Sequence, residues 1–380
     1  MKISVLQENL QKALSITGRF AASRAQLPAL NNVCLTTEKS RLKLTSTNLE
    51  TGIHYWLGAK VEKAGSLTIP VKTFFELISS LSAGRVELET DKHTLKIKSE
   101  GGRASLVGIP AADFPSVPSF EGKEKIDLPI KNLNQAVSQV AFAASLDESR
   151  PVLSGVLLKK RGDSLVMVAT DGYRLSLKKI NLELKKNQEE LFDKGILLPA
   201  KTLIEVTKLL TEEQESDSFS LSLTPQASQA IFSLPQAEIV SRLIEGDFPD
   251  YEKIIPGKST TQVTIEKEDL LRGIRTASIF ARESANIVRL EVTKDQVKIS
   301  ANAPQMGDNL STVNAQIQGK SLKIAFNVRF LLDFLSAVKD KEVKLEFSGN
   351  LNPGIFKTGK DKSFFHIIMP VRVQDWDICF

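Results

Sequence analysis

The chain has 380 residues, a formal net charge of +5 and 42% hydrophobic residues. It is long enough for two or three domains with separate cores, and so small a net charge excludes a bulk attraction to acidic partners. Its two cysteines, Cys34 and Cys379, lie at opposite ends of the chain and accompany no histidine cluster, which favours a reducing compartment and argues against zinc. The beginning turns polar too early for a signal peptide, and no apolar run reaches membrane-spanning length. We therefore expect a cytoplasmic protein.

One sequence pattern recurs three times along the chain. A strand-like opening followed by an apolar helical segment occurs around Pro70, Pro199 and Asn327. The offsets are 129 (199 − 70) and 128 (327 − 199) residues. Since a fixed period indicates one structural unit used repeatedly, the sequence predicts three similar domains.

Each third of the chain also begins with an earlier strand and helix, in which Leu10, Leu133 or Leu270 is the first core residue. Alternating segments such as residues 41–45 and 296–300 predict strands after each helix. Six strand–helix–strands halves of roughly sixty residues follow from this pattern. We predict an α+β fold of antiparallel sheets with two helices per domain. The predicted domains are residues 1–121, 126–252 and 258–380, with an extra tail at 374–380.

The segment Ala169–Leu175 is predicted to be a strand that ends in a shaped turn. Asp171 and Gly172 have turn chemistry, because Asp bonds its own backbone and Gly tolerates positive φ. Tyr173 and Arg174 would then stand on an exposed shoulder, and these two residue types are frequent anchors of binding surfaces. Alone, the segment would favour an ordinary hairpin turn, but its place in a repeated chain favours a site.

Signatures of metal or enzyme chemistry are missing from the sequence. His54, His93 and His366 are scattered without other ligands at metal-binding spacing, so structural histidines are expected. Residues 354–361 almost spell a phosphate-binding loop, but their flanks look like strands and not like the beginning of a helix. The sequence thus predicts no cofactor, no metal and no catalytic residues, and favours a binding or scaffolding protein.

The predicted helices carry basic outer faces. At 100° per residue, the helix that contains Leu270, Ile274, Ala277 and Ala281 on its core side has its arginines on the other side. Any one such face is typical of a solvated helix, but its recurrence favours a shared surface that contacts phosphates without reading bases. The outward basic residues are Lys12, Arg19, Lys72, Lys131, Lys201, Lys208, Arg272, Arg275, Arg282, Arg329 and Lys339, with Glu8, Glu76, Glu205 and Asp333 between them.

Three polar segments are interpreted as connections only. Residues 185–194 and 211–218 are charged and are predicted to be solvated loops. Gly101 and Gly102 are predicted to form a turn between two strands.

The whole chain resembles one family, the bacterial DNA sliding clamps, which are the β subunits of DNA polymerase III. The resemblance rests most specifically on Val168–Ser176, Asp247–Tyr251, Pro110–Pro115 and Met369–Val373. It implies a non-catalytic processivity factor for DNA replication that forms a head-to-tail homodimeric ring around duplex DNA. The implied partners are double-stranded DNA of any sequence, the DNA polymerase III α subunit, the clamp loader, and other polymerases and repair proteins. No membrane partner is implied.

The resemblance also assigns residues to sites. It implies dimer contacts of Ala104 and Leu106 with Ile279 and Phe280. It implies DNA contacts at Arg24 and Lys201, to which the basic helix faces add Lys12, Arg19, Arg272, Arg275 and Arg282. It implies a pocket for linear peptides that carry a leucine and a terminal aromatic residue. The implied lining is Leu153, Thr170, Gly172, Tyr173, Arg174, Leu175, Pro249, Lys253, Ile254, Asn327, Phe330, Leu351, Pro353, Met369, Pro370, Val371 and Arg372, with Ala285 where the family can carry an aromatic residue.

Two other classes of protein stay open at this point. A repeat-built enzyme could use Asp171 or Asp247 as a general base, although both are explained as turn residues. A DNA-binding protein could contact phosphates without encircling the duplex. Retention on closed circular DNA with release on linear DNA would distinguish a ring from either alternative.

The tail at 374–380 has two interpretations. Its ending, Ile378 and then Phe380, looks like the peptide that clamp partners insert, so the tail could compete for the pocket. Short motifs match by chance easily, and Trp376 and Phe380 packing on the last sheet is the favoured alternative.

Overall fold

The computed structural model describes residues 1–22, 27–119, 125–147, 149–181, 192–213, 218–224 and 228–373. The predictions for Arg24 and for the tail at 374–380 lie outside these ranges. Two compact units make up the chain: Met1–Lys131 with Glu205–Leu243, and Asn132–Ile204 with Ile244–Phe380.

The described residues contain six α-helices of nine residues or more, two in each third of the chain, as the repeats predict. Apolar residues at helical spacing produce them: Leu270, Ile274, Ala277 and Ala281 are all at most 2% exposed. The helices are α1 (Gln7–Thr17), α2 (Val71–Ser79), α3 (Ile130–Val140), α4 (Ala200–Glu213), α5 (Lys267–Ala281) and α6 (Val328–Ala337).

Twenty-six strands occur in the described residues. They are β1 (Lys2–Leu6), β2 (Asn32–Glu38), β3 (Arg41–Thr47), β4 (Thr51–Gly58), β5 (Lys60–Lys63), β6 (Ser66–Pro70), β7 (Arg85–Asp91), β8 (Thr94–Ser99), β9 (Gly102–Val107), β10 (Ile126–Pro129), β11 (Gly155–Arg161), β12 (Ser164–Thr170), β13 (Arg174–Asn181), β14 (Ile196–Pro199), β15 (Ser218–Leu223), β16 (Gln229–Ser233), β17 (Ala237–Arg242), β18 (Thr261–Glu266), β19 (Ile287–Val292), β20 (Gln296–Ala303), β21 (Gly307–Asn314), β22 (Gln316–Gly319), β23 (Leu322–Asn327), β24 (Glu342–Phe347), β25 (Gly354–Thr358) and β26 (Phe364–Ile368).

Each unit contains two antiparallel sheets. In the first unit the strand orders are β5-β1-β7-β8-β9 and β10-β15-β16-β17-β4-β3-β2-β6. In the second unit they are β14-β11-β12-β13-β26-β25-β24-β18-β22 and β21-β20-β19-β23. The larger sheet of each unit contains strands from two different repeats.

The repeats are joined by direct strand pairing. At the first junction β4 pairs with β17, with Tyr55 opposite Ala237. At the second junction β13 pairs with β26, with Leu175 opposite Ile367. Because main-chain hydrogen bonds run through both junctions, each sheet is continuous across its repeat boundary.

The predicted connections have mixed outcomes. The prediction of a loop from residue 211 is wrong, because α4 continues to Glu213 and the Thr211 hydroxyl donates to the Thr207 carbonyl at 2.8 Å. Residues 185–191 and 214–217 lie outside the description, but the prediction of a solvated loop at 185–194 is wrong near its end, where Phe192 is fully buried. The turn at Gly101 is confirmed between β8 and β9, and residues 354–358 form a strand, which agrees with rejecting a phosphate-binding loop.

Candidate functional site

The turn between β12 and β13 is held by its own side chains. The Thr170 hydroxyl donates to the Arg174 carbonyl at 2.6 Å and accepts from the Gly172 amide at 3.1 Å. Asp171 Oδ1 accepts from the amides of Tyr173, at 2.9 Å, and Arg174, at 3.0 Å. Gly172 has φ +92°, a conformation that side chains disfavour, so the backbone itself requires glycine here.

The expectation that both Tyr173 and Arg174 stand exposed is half wrong. Tyr173 is 62% exposed, but the Arg174 side chain is only 10% exposed. Its Nε donates to Asp171 Oδ2 at 3.0 Å and its Nη1 to Asp333 Oδ2 at 2.5 Å. Two carboxylates thus compensate the charge that burial would otherwise disfavour.

Aromatic rings enclose the same guanidinium. Nη2 of Arg174 donates to the carbonyl of Phe142 at 2.8 Å. Its Cζ lies 4.4 Å from the centre of the Phe330 ring and 5.5 Å from that of Phe142, within the range of cation–π attraction. Sequence reasoning missed Phe142 and interpreted Asp333 only as an outward acid, because nothing in the local sequence signals a contact across 159 positions.

Strand register gathers the other predicted pocket segments around this turn. Ile368 at the end of β26 lies opposite both Arg174 and Gly354. Just beyond it, the Met369 amide donates to the Tyr173 carbonyl at 2.8 Å. The residues near 173, 354 and 369 therefore lie at one end of three neighbouring strands.

Some apolar side chains of the predicted pocket segments are buried, and we call them the floor; others are exposed, and we call them the rim. Leu175, Ile355 and Ile367 belong to one core cluster with Tyr251, and Leu175 has no exposed surface. Apolar side chains that are exposed to solvent near the same strand ends and in residues 248–255 suit contacts with apolar groups of a ligand. We call the rim residues the apolar site: Tyr173 (62% exposed), Ile254 (43%), Leu351 (58%) and Met369 (39%).

The remaining predicted pocket residues have varied surroundings. Asn327 caps α6, since its Oδ1 accepts from the Arg329 amide at 3.0 Å. Lys253 is exposed and pairs with Asp250 at 2.9 Å. Among the others, Pro249 and Arg372 are exposed, whereas Leu153, Phe330, Pro353, Pro370 and Val371 are partly buried.

His366 lies in the core on the other face of β26. Its Nδ1 is 2.6 Å from the Ser176 hydroxyl, and its ring stacks on Phe334 at 5.7 Å. Burial lowers the pKa of His366 well below its usual value, so the imidazole is neutral. This histidine is structural, as expected, although its Nε2 has no hydrogen-bond partner among the described residues.

The predicted DNA-contacting residues separate into two groups. Lys12, Lys201, Arg275 and Arg282 are exposed on their helices or directly after them. Arg272 is exposed and lies 3.3 Å from Asp269. Arg19 is different: its guanidinium is 2.7 Å from Glu212 and 3.6 Å from Glu205, two acids of α4. Sequence periodicity found the outward face of α1 but not this pairing.

The predicted dimer contacts lie on or beside edge strands. Ala104 and Leu106 are half-buried on β9, the last strand of its sheet. Ile279 is 54% exposed near the end of α5. The neighbouring Phe280 ring lies 4.0 Å from where a Cβ atom at Gly307 would be, and Gly307 is the first residue of edge strand β21. Ala285, in the following turn, is exposed with φ +54°.

The described residues form neither a metal-binding cluster nor a membrane-spanning helix. They contain no group of three His, Cys, Asp or Glu side chains placed to hold a metal ion. No described helix combines the length and apolar character that crossing a membrane requires.

Comparison with known proteins gives the same family along the whole chain. Family models match for the N-terminal, central and C-terminal domains of the DNA polymerase III beta subunit, at residues 1–118, 127–250 and 252–372. The β sliding clamp of a Synechocystis species is 32% identical, with 98% of this chain and 100% of that protein covered. The β sliding clamp of Bacillus subtilis is 28% identical over the same shares.

Solved structures agree with these relatives. The DNA polymerase sliding clamp of Bacillus subtilis superposes with a TM-score of 0.91 at 27% identity, covering 98% of this chain and 100% of that one. A Pseudomonas aeruginosa sliding clamp bound to griselimycin has a TM-score of 0.90 at 26% identity and the same coverage.

The α+β fold of repeated helices and antiparallel sheets is the fold of the sliding clamps on which the chain superposes. The chain belongs to the DNA polymerase III β subunit family, the β sliding clamps. Its role is that of a processivity factor and not of a catalytic subunit. The alternative of Asp171 as a general base is wrong, and both of its carboxylate oxygens accept hydrogen bonds within the turn.

Proposed function

We propose that two copies of this chain close head to tail around double-stranded DNA in the cytoplasm, and that the ring tethers polymerases through the apolar site. The observation that carries the tethering role is the open rim of Tyr173, Leu351 and Met369 beside a fully buried apolar floor. Such a surface suits the apolar anchors of a linear peptide, which contribute most of the binding energy.

The same proposal gives roles to the remaining predicted residues. Lys12, Lys201, Arg272, Arg275 and Arg282 face the duplex, with Arg24 completing the set and Arg19 contributing least because Glu205 and Glu212 already pair with it. Their contacts are with phosphates. The holding of DNA is topological and depends only weakly on charge, since acids alternate with bases on the helices and the net charge is +5.

Ring closure is proposed to join the β9 edge of one copy to the β21 edge of the other. Both are terminal strands whose outer main-chain groups are available for pairing, and a two-fold pair of such contacts closes a ring. Ala104 and Leu106 would meet Ile279 and Phe280 there.

The apolar site is tested with exposed residues only. Leu175→Ala would perturb the core, so the informative variants are Met369→Ala and Leu351→Ala. We expect each to weaken binding of a synthetic peptide in which a leucine is followed two residues later by a phenylalanine by about 1–2 kcal/mol. Leu146→Ala, a change of an 89% exposed leucine outside the site, is the matched control. Wild-type affinity in both site variants would refute the site.

Encirclement is tested on a nicked circle. After loading by an ATP-driven clamp loader, the protein should survive a salt increase that strips ordinary phosphate binders and should be released when the circle is linearised. Release that follows salt and ignores linearisation would instead support a DNA-binding protein that does not encircle its target.

A further inference from the structure

We infer that Asp333 is a positioning residue for the apolar site: it holds the Arg174 side chain, and through it the Phe330 ring and the Tyr173 turn, in the geometry that receives a peptide. This inference rests on the peptide-binding role proposed above. It adds a residue from α6 that lines no part of the predicted pocket.

The first step is the ion pair between Arg174 and Asp333. The two residues are 159 positions apart and belong to different repeats, yet Nη1 lies 2.5 Å from Oδ2. The Arg174 side chain is 10% exposed, while that of Asp333 is 44% exposed. A guanidinium so far removed from water needs its carboxylates, and charge-assisted bonds of this kind fix side-chain orientation.

The second step connects the ion pair to Phe330, a residue of the predicted pocket. Phe330 precedes Asp333 by three residues on α6, so both point to the same face of the helix. The Phe330 ring packs on the guanidinium at 4.4 Å while the Asp333 carboxylate bonds its edge. A guanidinium released by Asp333 would leave the ring without its packing surface.

The third step connects the ion pair to the turn that presents Tyr173. Arg174 is itself part of the turn that presents Tyr173, since its amide donates to Asp171 Oδ1 at 3.0 Å and its carbonyl accepts from Thr170 at 2.6 Å. Asp171 also holds the guanidinium at 3.0 Å. One side chain therefore ties the Tyr173 turn to α6, and Asp333 is the α6 end of that tie.

The second junction supplies a matched control. Lys178, four residues further along β13, pairs with Asp361 of the third repeat, and their side chains are 8% and 22% exposed. Asp361 also accepts from Gln135 at 3.3 Å and from the Ser363 amide at 2.9 Å. Asp361→Asn thus removes a carboxylate from a cross-repeat ion pair of the same kind without touching the residues of the apolar site.

The experiment compares Asp333→Asn, Asp333→Glu and Asp361→Asn in the full chain. Fluorescence anisotropy with the leucine–phenylalanine peptide measures affinity, and amide hydrogen exchange of residues 169–175 measures the turn. We expect Asp333→Asn to weaken the peptide about tenfold and to speed exchange at Tyr173 and Arg174. Asp333→Glu keeps the carboxylate and should recover most of both. Asp361→Asn should lower the thermal midpoint but leave both readouts near wild type.

Each outcome decides the inference. Unchanged exchange in Asp333→Asn would overturn it whatever the peptide does, and so would an equal loss of affinity in Asp361→Asn. Failure of the proposed function looks different: Met369→Ala and Leu351→Ala would then bind like wild type, while exchange in the turn would still report whether Asp333 holds it.

Discussion

The two junctions between repeats share a main-chain arrangement and differ in the side chains beside it. Each pairs five residues of one antiparallel strand with five of another. Each also buries a histidine against a hydroxyl: Thr45 Oγ1 lies 2.9 Å from His54 Nδ1 in the strand next to the first junction, and Ser176 Oγ lies 2.6 Å from His366 Nδ1 across the second. The same strand pairing therefore occurs at both junctions, although only the second lies beside the apolar site.

The deeper burial of its cross-repeat cations distinguishes the second junction. The side chains of Arg174 and Lys178 on β13 are 10% and 8% exposed, and both form ion pairs there, with Phe330 and Phe142 packed on Arg174. Repeats one and two are also joined by a cation, but a more exposed one: the Arg19 side chain is 28% exposed and pairs with Glu205 and Glu212. Other contacts at the first junction are single hydrogen bonds, such as the Tyr55 hydroxyl donating to Gln236 at 3.3 Å and the Ser119 hydroxyl donating to Glu238 at 2.8 Å. The difference teaches that both junctions combine strand pairing with cross-repeat ion pairs, and that the more deeply buried cations accompany the junction beside the apolar site.

The largest expected effect separates the two networks directly. Arg174→Ala removes the partner of two carboxylates and should lower the free energy of unfolding by about 3 kcal/mol. Gln236→Ala removes one neutral hydrogen bond and should cost about 1 kcal/mol or less. Urea unfolding of both variants measures the values. Similar losses would mean that the two junctions do not differ energetically as they do structurally.

A second prediction tests what the junctions share. Ser176→Ala and Thr45→Val each leave a buried imidazole nitrogen without its hydroxyl. Because the geometry is alike, each should cost about 1–2 kcal/mol of unfolding free energy. Chemical denaturation measures the two losses, and a clear inequality between them would show that the shared histidine motif is only superficially shared.

His366 at the second junction should contribute more to the pH dependence of the unfolding free energy than His54 at the first. Burial lowers the pKa of His366 well below its usual value and lowers that of His54 less. An unfolded histidine binds a proton near about pH 6.5 while the folded one stays neutral, so stability is complete above that pH and falls as the pH drops below it. His366→Gln should remove up to about 1.4 kcal/mol per pH unit of this slope between about pH 6.5 and 5.

Unfolding titrations at several pH values check this prediction. His54→Gln should flatten the slope less than His366→Gln does. A slope in that window that neither substitution changes would place the proton uptake on other groups.

The smallest effect is expected at the exposed edge of the first junction. Ser119→Ala deletes a solvent-exposed hydroxyl bonded to Glu238, and exposed substitutions of this kind change stability by about 0.5 kcal/mol or less. Thermal unfolding against wild type measures it. A loss of the size expected for Ser176→Ala would mean that the first junction also depends on flanking polar contacts.

The periodic spacing of apolar residues was sufficient to predict most helices and strands of this fold. Spacing of apolar residues predicted the buried face of α5, and the offset between Pro70, Pro199 and Asn327 predicted the helices that follow them. The end of α4 was missed because acidic residues in a last turn have the composition of a loop. Composition alone does not show that the Thr211 hydroxyl bonds back to the helix.

From residue chemistry alone the site was predictable only where it is local, and the distant pocket segments came from the family resemblance. Asp171 and Gly172 predict their turn, because the Asp171 carboxylate accepts from a nearby amide and Gly172 adopts a positive φ. The burial of Arg174 depends on Asp333, and the pairing of Arg19 depends on Glu205 and Glu212. Such contacts join positions far apart in the chain, and a single sequence carries no signal for them.

Strand pairing between repeats has a consequence for synthesis of the chain. Hydrogen-bonded partners at the first junction are 181 positions apart and those at the second 190. Contacts between such distant positions form slowly, and domains made early on the ribosome wait for their partners. The edge of β4 therefore stays unpaired until β17 has been translated, and that of β13 until β26 has. Over that interval each edge is open to a neighbouring chain, which makes translation rate and chaperone access determinants of yield.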